Sequence, residues 1–163
     1  MQQVEANGLS YHLPGKILAS GFYLNELLIH LLHRHDPHGS IFQIYADTLA
    51  QLHDAQQHEA CLRLFEKQLL IELGYGLLLD RTVSGEPVVP TESYIFNFGI
   101  GCEKVAAPSA QTFLGSELLA LHHGKFISSA ELLVAKKILR SALAALLGSH
   151  PIRSREMLGS ILL

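Results

Sequence analysis

Cysteine is scarce in this chain: Cys61 and Cys102 are the only two among 163 residues. Two well-separated thiols make no disulfide framework and fit a reducing compartment. Charge is sparse too, at 17% of residues against 48% hydrophobic, so the chain is rich in core-forming residues and unlike a disordered one. No basic excess exists either; a formal net charge of −3 gives no overall positive field to gather nucleic acid. No apolar run reaches membrane-spanning length, because Glu26, His30 and His33 interrupt the first apolar stretch, and Lys136, Lys137 and Arg140 a late one. The first residues lack the basic-then-apolar pattern of a secretory signal. There is no GxSxG elbow, no glycine-rich phosphate loop, no HExxH and no cysteine–histidine signature. A disulfide scaffold and a membrane span are therefore excluded, and no catalytic residue is expected.

Helical periodicity dominates what is present. In EACLRLFEKQLLIELGYG, Leu62, Phe65, Leu69, Leu70 and Leu73 recur at helical spacing, and Leu64 and Ile71 widen that apolar face. Gly74 follows the last periodic residue, where a left-handed cap belongs. Upstream, the pattern predicts a helix over about 17–34, with Ile17, Phe22, Leu24, Leu27, Leu28, Leu31 and Leu32 buried and Tyr23, Glu26, His30 and His33 on a more polar side. Asp36-Pro37-His38-Gly39 ends it, and Ser40 is placed to cap a second helix over about 41–54. The central helix follows over about 57–73, and three helices with short connections read as a bundle.

Between residues 76 and 106 the texture changes. LLLD reads as a short strand, Ser84-Gly85-Glu86-Pro87 as a turn, and SYIFNFG alternates, with Tyr94, Phe96 and Phe98 on one side. Helical pattern returns in SELLALHH, closed by Gly124, and in a long helix capped by Ser128 or Ser129 and ending at Gly148. RSREMLGSILL predicts a last short helix. The fold class is mainly α, a helical bundle with a small β-rich insertion.

Two groups of side chains could carry chemistry. His30, His33, His35 and His38 crowd together, and His30 with His33 could share a helix face and bind a transition metal; imidazoles also simply favour a helix end and a solvated loop. Basic residues form short stripes: Arg63 with Lys67, Lys136 with Lys137 and Arg140, and Arg153 with Arg155. Such stripes are usually solvated faces.

LRLFEKQLLIELGYG, with GFYLNELL upstream and SGEP and PIRSRE downstream, resembles the C-terminal part of the RecO family of bacterial DNA repair and recombination mediators, in order and spacing from about Val4 to Leu163. Family members begin with an OB-fold barrel. The resemblance thus implies a remnant or linker over 1–15, a first part of the helical bundle over 16–75, a small insertion over 76–107, and the second part of the bundle over 108–163. Some members hold zinc in that insertion with two CxxC pairs. Here the first pair's place reads Asp80-Arg81-Thr82-Val83 and the second keeps at most Cys102, which implies a degenerate zinc-finger-like insertion with no zinc and no cofactor.

The resemblance further implies a non-enzymatic, cytoplasmic and nucleoid-associated protein. It would dock the acidic, apolar-tipped C-terminal tail of single-stranded DNA-binding protein and assist strand annealing and RecA loading with RecR. The tail-binding arginine of the LR-x-FE motif corresponds to Arg63, with Lys67, Leu64 and Phe65 beside it. Lys136, Lys137, Arg140, Arg153 and Arg155 would touch single-stranded DNA, weakly without the barrel. Asn25 and Glu26 of GFYLNELL are expected to hydrogen-bond neighbouring elements. Two alternatives stay open: a scaffold that binds only RecR, and a metal-dependent helical enzyme built on His30 and His33.

Overall fold

The computed structural model describes residues 13–33, 39–54 and 57–154. Within them are three helices, α1 (Gly15–Leu31), α2 (Gly39–Gln51) and α3 (His58–Glu72), followed by three strands, β1 (Ser93–Asn97), β2 (Gly101–Val105) and β3 (Phe113–Leu114). Two more helices, α4 (Gly115–His123) and α5 (Ser129–Leu147), complete the described elements. The described residues are mainly helical with one small antiparallel sheet in the order β2-β1-β3.

Helix α3 lies at the centre, packed against α2 on one side and α5 on the other, with α4 against α5. Leu62, Phe65, Leu69 and Leu70 of α3 are all buried, as their spacing predicts. They meet Leu24 and Leu27 of α1, Leu49 of α2, Leu118 and Leu121 of α4, and Ile138, Leu139 and Leu143 of α5 in one core. The α1 face differs from the sequence-based expectation. Tyr23 is 2% exposed and Phe22 46%, the reverse of the ordering expected from polarity. The cause is a polar partner: the Tyr23 hydroxyl donates to the Glu66 carboxylate at 2.5 Å inside the bundle.

The helix ends follow local chemistry. Ser128 Oγ accepts from the Glu131 amide at 3.2 Å, and the Glu131 carboxylate accepts from the Ser128 amide at 3.2 Å, a reciprocal cap that starts α5. Gly124 ends α4 in the left-handed region, φ 67°, and a Cβ there would come within 2.7 Å of Leu64 Cδ2. Ser40 lies inside the first turn of α2 instead of capping it, and its hydroxyl donates to Glu72 at 2.6 Å.

The insertion is built differently from the expected run of strands. Residues 75–79 form no strand. The Ser84–Pro87 turn is present, closed by the Thr82 amide on the Glu86 carbonyl at 2.7 Å and joined to β2 by the Val83 amide on the Cys102 carbonyl at 2.9 Å. Strand β1 pairs Phe96 with Cys102 and Tyr94 with Lys104 on one side, and Tyr94 with Phe113 on the other. Gly115 joins this sheet to α4; a Cβ there would sit 2.0 Å from the Val89 carbonyl oxygen, so no larger residue fits. The predicted last helix lies outside the described residues except for its first two residues, Arg153 and Ser154.

Candidate partner-docking site

Arg63 is only 2% exposed and does not belong to a surface stripe. Its Nη2 donates to Glu66 Oε1 at 2.8 Å, the same oxygen that receives the Tyr23 hydroxyl. Its Nη1 lies 3.8 Å from Glu59 Oε1, and that oxygen is 3.1 Å from Lys136 Nζ. Tyr23, Glu66, Arg63, Glu59 and Lys136 thus form a polar chain linking α1, α3 and α5 through the interior. Glu59 is partly buried, which alone would raise its pKa, but Arg63 and Lys136 together outweigh burial and hold it below its usual value.

The other members of the expected tail site are dispersed. Phe65 is 1% exposed and belongs to the core, while Leu64 is 39% exposed beneath Gly124. Lys67 donates to the His122 carbonyl oxygen at the end of α4, satisfying one of that helix's terminal carbonyls, and partial burial lowers its pKa. Arg63 and Phe65 are thus buried, and the (i, i+3) and (i, i+4) relations that suggest a surface stripe here serve an internal network.

The late basic residues also part company. Lys136 turns toward Glu59 on α3. Lys137 points the other way, donating to the Ala110 carbonyl at 3.1 Å, with its ammonium 5.1 Å from the centre of the Phe113 ring. Arg140 is exposed one turn along α5. The Arg153 amide donates to Glu26, while Arg155 lies outside the described residues.

Lys137 borders a cleft of about 220 Å³ between the sheet and α5, lined by Ile95, Phe96, Phe113, Ile138 and Ser141 among others. Its floor is apolar, one wall carries a cation over an aromatic ring, and Arg140 is exposed nearby on the same helix. Sequence reasoning singled out Lys137 and Arg140 only as single-stranded DNA contacts and did not connect them with Ile95, Phe96 and Phe113. The alternation of β1 marked a strand, but nothing local shows that this strand meets α5.

The remaining polar residues of GFYLNELL hold elements together. Asn25 Oδ1 accepts from the Tyr45 hydroxyl at 2.6 Å, tying α1 to α2. Glu26 accepts from the Arg153 amide at 2.8 Å, the Ser154 amide at 2.9 Å and the Ser154 hydroxyl at 2.6 Å. Burial would raise the Glu26 pKa, but the bonds from Ser154 and Arg153 outweigh it and hold the carboxyl below its usual 4.5.

Neither thiol is exposed. Cys102 is fully buried, its Sγ 3.4 Å from the Leu78 carbonyl, and burial, helped by the Asp80 charge, pushes its pKa up to about 11. Cys61 donates to Gln51 Oε1 at 3.4 Å, and burial, with a contribution from Asp54, raises its pKa as well. Around residues 80–86 the loop is closed by hydrogen bonds, Thr82 Oγ1 to Ser84 Oγ at 2.8 Å and the Glu86 amide to Thr82 Oγ1 at 3.1 Å. Among the described residues, no three His, Cys, Asp or Glu side chains converge as a metal site. Among the same residues, no helix is long and apolar enough to cross a membrane.

Comparison with known proteins gives consistent matches. Residues 15–156 match the family described as "Recombination protein O C terminal". Over 159 residues the chain is 45% identical to the DNA repair protein RecO of Coxiella burnetii, covering 95% of this chain and 68% of that protein. It is 42% identical over 155 residues to the DNA repair protein RecO of Pseudomonas aeruginosa, covering 95% of this chain and 66% of that one. For the protein of the same name from Alkalilimnicola ehrlichii, identity is 44% over 157 residues, with coverage of 94% and 62%.

Proposed function

The chain belongs to the RecO family of DNA repair proteins, and on that premise we propose that it acts in repair as the helical part of a recombination mediator, working by binding and without bond chemistry. Its partner is the C-terminal tail of single-stranded DNA-binding protein. A short tail of carboxylates ending in apolar side chains needs a shallow apolar floor beside one or two cations. The observation that carries this reading is the cleft in which Lys137 stands over Phe113, with Ile95, Phe96 and Ile138 below and Arg140 exposed on the next turn.

In this reading the tail's end group enters the cleft and its carboxylates meet Lys137 and Arg140. Arg63 contributes from the interior, by holding α3 against α1 and α5. Capture of the tail loosens that protein's hold on single-stranded DNA, and annealing and RecA loading with RecR follow. The insertion is a degenerate zinc-finger-like element in which Thr82, Ser84 and Glu86 close by hydrogen bonds the turn that thiolates and zinc would otherwise hold. Single-stranded DNA contacts by Lys136, Lys137 and Arg140 are secondary.

Fluorescence anisotropy with a labelled tail peptide, at two salt concentrations, tests this. Micromolar, salt-sensitive binding is expected, weakened at least about ten-fold by Lys137→Glu, with a smaller loss for Arg140→Glu. Unchanged affinity in both variants would remove the tail from this cleft. No binding by the folded wild-type chain would remove the tail as its partner.

A further inference from the structure

We propose that His30 and His150 form a two-imidazole clip for a late first-row transition-metal ion such as Zn²⁺ or Cu²⁺, joining the end of α1 to the segment that follows α5. The residues come from distant parts of the chain. His30 lies in the last turn of α1, and His150 follows the turn at Gly148, φ 57°, that ends α5. Their ring centres are 5.3 Å apart, with the ring planes 38° from parallel. Two imidazoles on one tetrahedral ion, each with a ring nitrogen about 2.1 Å from the metal, have ring centres roughly 5 Å apart. The observed spacing of the ring centres matches that of two imidazoles sharing one ion.

The tautomer of His150 is set for this role. Its Nδ1 lies 3.0 Å from the Leu147 carbonyl oxygen, which can only accept, so Nδ1 is the donor and, in the neutral ring, Nε2 is the nitrogen with the lone pair. A backbone carbonyl orienting a ligating imidazole through its other nitrogen is the usual supporting arrangement at metal sites. Both rings are exposed, and they border a cleft of about 490 Å³ that His33 and Glu72 also line. Glu72 is already engaged by Ser40 at 2.6 Å and Gln68 at 3.3 Å. Among the described residues no three donors converge, so water completes the coordination. A site of this kind binds Cu²⁺ more tightly than Zn²⁺ and releases protons as it loads.

The ion would reinforce the contact that Glu26 makes with Arg153 and Ser154, one turn of α1 away from His30. It would therefore act as a metal-dependent staple of the C-terminal segment, independent of the Lys137 cleft.

Calorimetric titration of the full chain with Zn²⁺, together with spin-resonance spectra of the Cu²⁺-loaded protein, tests the clip. One Zn²⁺ per chain is expected, with affinity falling at least about ten-fold in His30→Asn and in His150→Asn and unchanged in a His122→Asn/His123→Asn control. The Cu²⁺ spectrum should show coupling to two imidazole nitrogens in wild type, with one lost in His150→Asn. Both substituted positions are exposed, so each variant should keep the wild-type circular dichroism. Zn²⁺ affinity retained in His150→Asn would mean an adventitious ion only, held by the histidines near residue 33, and would overturn the proposal. So would no binding by the folded wild-type chain.

Discussion

Replacing Arg63 should damage folding, whatever it does to partner binding. Its side chain is 3% exposed and that of Glu66 0%, and their ion pair closes at 2.8 Å. Arg63→Met leaves the Glu66 carboxylate buried with the Tyr23 hydroxyl but without its cation. Removing one partner of a buried pair costs about 3–5 kcal/mol. Set against a domain stability of roughly 5–15 kcal/mol, this loss should move the urea midpoint far down at unchanged slope. The pair is not an ideal one: Arg63 Nε and Nη1 donate no hydrogen bond among the described residues, so part of the cation's desolvation goes uncompensated. The double variant Arg63→Met/Glu66→Leu should therefore recover most of the loss, with a coupling of about 2–3 kcal/mol or more. Urea unfolding followed by circular dichroism over the four-member cycle measures it. An Arg63→Met cost below about 1 kcal/mol would place this cation at the surface and refute the internal network.

Two further outcomes follow from other contacts. Cys102, with a pKa pushed up to about 11, should be inert to an alkylating reagent at pH 8 in the folded chain and react promptly in urea. Glu26 titrates below 4.5 in the folded state, so the unfolded chain takes up its proton first as the pH drops. Its stabilising contribution should be complete above pH 4.5 and lost as pH falls through the lower folded value, and Glu26→Gln should flatten the acid limb of stability against pH.

Much of the fold was legible because local chemistry and tertiary packing agree. The periodicity of α3, the Ser128–Glu131 cap, the glycine after α4 and the Ser84–Pro87 turn each rest on interactions within a few residues. The failures share a cause. Tyr23 and Arg63 are polar by composition, yet both are buried, because each satisfies the other's partner, Glu66, across 43 residues of sequence in one case and three in the other. A window on α3 holds Arg63 and Glu66 but not Tyr23, so it does not reveal that the pair is buried. Residues 77–79 have strand-like side chains, but the edge beside them is taken up by Val83 on Cys102, and without a ladder they stay irregular. The cleft under Lys137 was half visible: its cations stand in the α5 pattern, while its floor is assembled from β1 and β3.

The Glu26 clamp also has a temporal meaning. Its two backbone donors lie 127 and 128 residues downstream of the carboxylate. At translation rates of about 5–20 residues per second, those amides are made roughly 6–26 s after Glu26 leaves the peptidyl-transferase centre. Throughout that interval the nascent α1 can form, but it has nothing to receive at this position, and α5, against which it also packs, is completed only near the interval's end. The bundle is therefore sealed from its far end backward, and a chain stalled before residue 153 would present an unclosed seam to the quality-control machinery of the cell.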